Sequence, residues 1–206
     1  MGDGTTKLVP TTELGFLDGD MFIISCQYDQ SQVTANSTSI PVTLLSTPLC
    51  IDPKNNEGLT QTKAEPTNPL YSLDKQQSSL VYYDKNTIVL TMPYWVKVTN
   101  SSVEDSELKK HSFVLSYDPT TMKDTDTKLK LYISHVVDDA GETVTRSNFT
   151  YAYRAYSIRA ALTVFKEKTG KLPKYLELTA KTNSSKDELK EESGETSVEY
   201  DYAFTE

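Results

Sequence analysis

The sequence predicts an all-β protein of two domains, and three observations carry that prediction. The chain has 13 Tyr and 6 Phe, abundant Thr, Val and Ser and only 8 Gly, a mixture that suits half-buried pleated strands better than long helices. Short apolar runs alternate with period two and are bounded by turn residues. The 206 residues are enough for two small β cores, and the pattern changes character across residues 55–77, a polar stretch with Pro66 and Pro69.

Asp3-Gly4 followed by Thr5, Thr6, Lys7, Leu8, Val9 and Pro10 reads as a tight turn feeding a strand, and a turn calls for a strand before it, so the natural chain is expected to begin upstream. The next strand spans residues 21–28, preceded by the Asp18-Gly19 turn signal, and a third spans residues 40–45. Pro48 and Pro53 end any sheet interior there. Residues 55–77 show no sustained period and are expected to be a linker, with one docked edge segment around Leu70 and Tyr71.

The second half opens on Thr87, Ile88, Val89, Leu90, Thr91, Met92, Pro93, Tyr94, Trp95 and Val96, a long apolar strand whose proline points to an edge or a bulge. Residues 111–117 and 128–135 alternate as strands with one wet face. Residues 149–157, 176–181 and 198–204 bring the total to about six, the cadence of a β-sandwich. Between them, Ser157 is a fair N-cap, Ile158, Leu162 and Phe165 are spaced i, i+4, i+7, and Gly170 is placed to end a helix. A short helical turn across the end of the sandwich is favoured there over a strand end and loop. Residues 186–195 form a charged run with no apolar face, expected to be a solvated hairpin loop.

A net charge of −8 and a pI near 4.9 argue against nucleic acid, whose binding rests on clustered Lys and Arg. They also give no attraction to anionic lipid, and no run approaches the ~18 apolar residues of a membrane-spanning helix. No basic or apolar leader follows Met1.

Residues 3–10, with Leu17-Asp18-Gly19-Asp20 and Ile23-Ile24-Ser25-Cys26-Gln27-Tyr28, resemble the N-terminal domain of the NigD-like proteins of Bacteroidetes. Lys110-His111-Ser112-Phe113-Val114-Leu115 and Leu129-Lys130-Leu131-Tyr132-Ile133-Ser134-His135 resemble that family's C-terminal domain, in the same order. The resemblance implies a small OB-like barrel followed by an antiparallel β-sandwich, in a lipoprotein anchored at the cell envelope or outer-membrane surface, of unassigned function. The leader and lipobox cysteine of the family pattern are not seen in this sequence. An OB barrel needs about five strands to hide its edges, and residues 1–55 supply three. Either the chain after residue 60 returns to add a strand or the barrel is incomplete, its edge exposed or paired with another copy; the favoured expectation is that residues 79–83 pair back onto the N-terminal domain, which sets the domains at 1–83 and 84–206 and leaves the chain a monomer.

Cys26 and Cys50 form a disulfide in one reading and two separate buried thiols in the other. His111 and His135 each lie at a strand end, where an imidazole more often satisfies a backbone carbonyl than a metal. Without His-x-His or His-x-x-x-His spacing no metal site is assigned, although Asp138 and Asp139 lie near enough in sequence to be imagined as ligands. No nucleophile elbow or Gly-rich phosphate loop occurs, so neither hydrolase chemistry nor a nucleotide cofactor is expected. Tyr94, Trp95, Tyr151, Tyr153 and Tyr156 are the densest aromatic cluster. Tyr151 and Tyr153 share a strand face by the period of two, which makes either a stacking platform or core packing. Sequons at Asn36, Asn100, Asn148 and Asn183 mark polar loops. The function expected is a non-enzymatic envelope module that binds a protein or a glycan without a cofactor. The alternative is an envelope enzyme acting on polysaccharide through a carboxylate pair among the 29 acidic residues.

Overall fold

The computed structural model describes residues 6–15, 21–34, 36–51, 59–185 and 194–204, and the fold is all-β. Two compact units divide between Asn55 and Asn56.

In the first unit the described strands are β1 (Lys7–Pro10), β2 (Met21–Ile23), β3 (Cys26–Gln27), β4 (Ser39–Leu44) and β5 (Leu49–Ile51). β4 is central, parallel to β1 with Lys7 opposite Ser39 and antiparallel to β3 with Cys26 opposite Leu44. Its alternation buries Ile40 and Val42 and exposes Ser39, Pro41 and Thr43. β2 and β5 form a separate antiparallel pair. The single strand expected over residues 21–28 is broken at Ile24 and Ser25, where the Ser25 carbonyl turns to accept the Leu45 N–H at 2.8 Å. No closed barrel forms among the described residues, and the strands make a three-stranded and a two-stranded sheet, in keeping with the incomplete form of the expected barrel. Most are only two to four residues long, too short to wrap a common core. The Asp3-Gly4 and Asp18-Gly19 turn signals lie outside the described residues.

The second unit holds β6 (Ser79–Asp84), β7 (Thr87–Val96), α1 (Asp105–Leu108), β8 (His111–Ser116), β9 (Lys128–Val137), β10 (Asn148–Ser157), α2 (Arg159–Thr169), β11 (Tyr175–Thr182) and β12 (Gly194–Asp201). One sheet has the order β10-β7-β6 and the other β12-β11-β9-β8. Their inner faces meet in one core: Ile88, Leu90, Met92, Tyr94 and Val96 of β7 belong to the same buried cluster as Leu129, Leu131 and Ile133 of β9 and Leu176 and Leu178 of β11. The period of two read from the sequence is thus the period of burial. The sandwich is mixed and not purely antiparallel, because β11 runs parallel to β9. A parallel pair needs a long crossover, and β10 with α2 supplies it. α2 buries Ala161, Leu162 and Phe165 on one face and ends at Gly170, whose φ of 74° is the left-handed conformation glycine favours. Ile158 occupies the N-cap position without a side-chain cap, displacing the expected Ser157 by one residue.

β6 does not return to the first unit. It forms a hairpin with β7, Leu80 opposite Leu90 and Val81 opposite Val89, closed by an Asp84 carboxylate that accepts the Asn86 N–H at 2.7 Å. A hairpin between neighbours in sequence closes a far shorter loop than pairing across residues 46–78. The unit boundary is accordingly at 55/56 and not at 83/84.

The supposed linker is a strap built into the second unit. Thr60 pairs with the edge of β8, its N–H on the Leu115 carbonyl and its carbonyl on the Tyr117 N–H. Thr67 and Asn68 donate to the His135 carbonyl, taking the ladder position beside β9 beyond Ile133, where its pairing with β11 ends. Leu70 bridges β7 at Tyr94 and β11 at Thr182: its N–H bonds the Lys181 carbonyl and its carbonyl the Asn183 N–H, both at 2.9 Å. Its side chain is 1% exposed. Pro93 is accommodated in a central strand by the same device. β6 has ended by that point, and the Pro93 carbonyl accepts the Tyr71 N–H at 3.0 Å. The proline nitrogen faces the same side as its carbonyl, so no β10 ladder bond is lost. Leu70→Ala is expected to destabilise the second unit by about 2–5 kcal/mol. Urea unfolding followed by the fluorescence of Trp95, the one tryptophan, measures this, and a loss within error of zero would contradict the strap's structural role.

Candidate functional site

The aromatic cluster singled out in the sequence is divided between the two faces of the β10-β7-β6 sheet. Tyr94 and Tyr156 point into the core, 4% and 3% exposed, Tyr156 donating its hydroxyl to the Phe113 carbonyl at 2.9 Å. They are packing residues and reach no surface. Trp95, Tyr151 and Tyr153 lie on the other face, because Trp95 is opposite Phe149, Pro93 opposite Tyr151 and Thr91 opposite Tyr153. There the strap adds Tyr71, which stacks on Phe149 with centroids 4.2 Å apart and meets Trp95 edge-on at 5.1 Å. Phe149 packs edge-to-face with Tyr151. Phe149 and Tyr151 remain 41% and 39% exposed, forming an aromatic ledge. Trp95 itself is buried beneath it and donates its indole N–H to the Asn183 carbonyl at 2.8 Å.

A cleft of about 610 Å³ opens beside Tyr71. Ser72 and Asp74 of the strap and Asn183, Ser184 and Thr196 at the open end of the β11–β12 pair help to line it. The Asp74 carboxylate accepts the N–H groups of Gln77 and Gln76 at 2.8 and 2.7 Å. Led by the Gln77 amide, these bonds hold it below the usual carboxylate range despite partial burial.

The two histidines take part in a buried polar chain. His135 Nδ1 meets the Pro69 carbonyl at 3.2 Å, His135 Nε2 meets His111 Nδ1 at 2.9 Å, and His111 Nε2 meets Glu107 Oε1 at 3.2 Å. Glu107 Oε1 also accepts Arg146 Nε at 2.7 Å and the Lys97 N–H at 2.9 Å, and Arg146 forks onto both oxygens of Asp139. His111, His135, Glu107 and Arg146 are all buried. The carbonyl and the carboxylate at the ends of this chain are both acceptors, so three contacts need three protons, whereas two neutral imidazoles carry two. Burial pushes both histidines below the usual imidazole range, so the pair is neutral at pH 7. Two protons therefore serve three contacts, and the tautomers of the two rings decide which contact goes without one. His135 meets a backbone carbonyl, but from within β9 and not from a strand end, while His111, at the start of β8, contacts side chains instead. Asp139 is engaged by Arg146 and Lys110, and Asp138 by the Ala140 N–H; among the described residues no three metal-donor side chains converge.

Cys26 is a free, half-buried thiol on β3, and Cys50 lies on β5, opposite Phe22. The Cys50 side chain lies outside those described, so the disulfide expectation rests there. Phe149, Asp74, Glu107 and Arg146 were not singled out from sequence. Phe149 was legible, since it shares the period of two with Tyr151 and Tyr153. Glu107 and Arg146 are 39 residues apart and carried no local signal.

Two predictions follow from the buried chain. Arg146→Met, which strands Glu107 in the core, is expected to cost about 3–5 kcal/mol in urea unfolding, and adding Glu107→Gln to recover much of it; equal loss in the single and double variants would contradict the pairing. The unfolded chain takes up protons on histidine near ~6.5 while the folded pair resists them, so the unfolded state binds more protons and stability falls as pH falls through that value. The urea midpoint is expected to be lower at about pH 5.5 than at about pH 7.5, with a shallower fall in His135→Phe. A midpoint that rises on acidification would contradict neutral histidines.

No protein-family model and no curated protein matches the sequence. Among solved structures the chain is similar to a Bacteroides fragilis protein provisionally described as a lipoprotein, at 29% identity and a TM-score of 0.78 over 98% of this chain and 91% of that one. It is also similar in fold to an uncharacterized protein of Parabacteroides merdae, at 16% identity and a TM-score of 0.55 over 96% and 89% of the two chains. A Bacteroides vulgatus protein of unknown function shares the fold at 7% identity, with a TM-score of 0.52 over 97% of this chain and 79% of that one.

Proposed function

We propose that the chain is a non-enzymatic binding module of the cell envelope, carried there as a lipoprotein of the NigD-like kind, and that the Phe149–Tyr151 ledge with Tyr71 is its contact surface for a protein or glycan partner. The observation that carries this reading is the exposure of Phe149 and Tyr151, 41% and 39%, on a face where rigid neighbours already hold Tyr71 and Trp95. Large aromatic side chains fixed in this way lose little entropy on contact and are the residues on which binding energy concentrates. The similarity to a protein described as a lipoprotein supports the envelope location. No described helix is long and apolar enough to cross a membrane.

The enzyme alternative is less well supported. Glu107 and Asp139 are two carboxylates brought to one place, and Arg146 bridges them. Burial pushes Glu107 up, but the Lys97 amide, Arg146 and His111 outweigh it, and the Arg146 guanidinium holds Asp139 low, so both sit below the usual carboxylate range. A glycosidase general acid needs the opposite shift.

The test is capture of an envelope component by the immobilised chain, compared with the double variant Phe149→Ser, Tyr151→Ser. The variant is expected to weaken capture by about tenfold or more while still unfolding in one cooperative transition well above the assay temperature. Equal capture by both proteins would contradict the ledge as the contact.

A further inference from the structure

We propose that the cleft beside the ledge is a subsite for a neutral saccharide, with Tyr71 as its aromatic wall and Ser72, Asp74, Asn183, Ser184 and Thr196 as its hydrogen-bonding rim; this rests on, and specifies, the binding-module reading. The volume of about 610 Å³ falls within the ~300–1,000 Å³ typical of small-ligand sites. Among the described residues its lining is hydroxyl, amide, phenol, one carboxylate and the apolar Leu73, with no Lys, Arg or His. Hydroxyl-rich ligands have many donors and acceptors and no charge, and they present C–H faces that pack on aromatic rings. An anionic saccharide or a phosphate would meet Asp74, held ionised by its backbone bonds, with no cation among the described lining residues to balance it.

The rim is preorganised, which lowers the ordering cost of binding. Asn183 is fixed by its N–H on the Leu70 carbonyl and its carbonyl on Trp95, and its Oδ1 accepts the Ser185 N–H at 2.9 Å, which sets the plane of the amide. The Tyr71 ring is held by stacking on Phe149 and by an edge contact with Trp95. An extended peptide finds no ladder to join on the strap, because the Leu70 N–H and carbonyl are already bonded to Lys181 and Asn183 and the Tyr71 N–H to Pro93, and strand addition needs an open edge.

Trp95 touches both walls of the cleft, so its fluorescence reports occupancy in the full chain. Maltohexaose, cellohexaose and mannohexaose are titrated to ~10 mM, the weak end of the affinity scale, beside hexagalacturonate of the same length. At least one neutral hexasaccharide is expected to give a saturable change, with hexagalacturonate about tenfold weaker or silent. Asp74→Asn and the exposed cleft-filling Ser184→Tyr are each expected to weaken the neutral ligand by about tenfold at unchanged melting temperature. Silence of all three neutral probes, equal binding of hexagalacturonate, or indifference to Ser184→Tyr overturns the saccharide site. If the probes are silent while envelope capture still depends on Phe149 and Tyr151, only the saccharide assignment falls. Loss of that capture on protease treatment of the extract identifies a protein partner and overturns it as well. If capture does not depend on the ledge, the binding-module reading falls too.

Discussion

The backbone of Leu70 is the join on which the second unit depends. One residue of the strap donates to β11 at Lys181, accepts from Asn183 just beyond the end of that strand, and lies against Tyr94 of β7, so the two sheets are fastened at one end by main-chain bonds as well as by side-chain packing. Its side chain adds a leucine to the core that both sheets share. A sandwich held only by its apolar faces can slide by small increments; hydrogen bonds with fixed partners cannot, because a shifted partner leaves buried N–H and carbonyl groups unpaired at a cost of about 1–3 kcal/mol each.

This join places the polar features around it. Pro69, one residue before Leu70, delivers its carbonyl to His135, and from there the buried chain runs through His111 and Glu107 to Arg146. Tyr71, one residue after, is delivered to the outer face beside Trp95 and Phe149. Three consecutive residues thus face three environments: a buried polar chain, the core and the candidate binding surface. The ion pairs of Arg146 are weak evidence of stability by themselves, since desolvation offsets much of their attraction. Their geometric effect is clearer, because a forked guanidinium fixes the α1 end and the loop after β9 against one another.

What could be read from sequence follows from what kind of partner each segment has. β7, β9, β10 and β11 pack side chains against side chains, so their alternation appears directly as apolar and polar letters. α2 was legible from the spacing of Ile158, Leu162 and Phe165 and from Gly170, whose backbone conformation favours glycine. The strap was read as a linker because its main contacts are made by its backbone, which has no letter of its own, and its prolines suit an extended chain as well as an unstructured one; only Leu70 and Tyr71 stood out. The face of each aromatic was legible within β7 and β10 once a register was known, but not before, since Tyr94 and Trp95 are adjacent and a slip of one residue exchanges them. In the first unit the breaks at Ile24 and Ser25 turn on a backbone bond to Leu45, which no local pattern announces.

Native-state hydrogen exchange at the Leu70 and Asn183 amides tests most directly whether the strap is an integral part of the fold. If the account is right, both amides exchange only through global unfolding, with the same free energy as core amides of β9 such as Leu131 and Ile133. Exchange at those two amides through local opening, at rates close to that of the exposed turn at Thr120, would show that the strap is a docked loop and that the sandwich holds together without it.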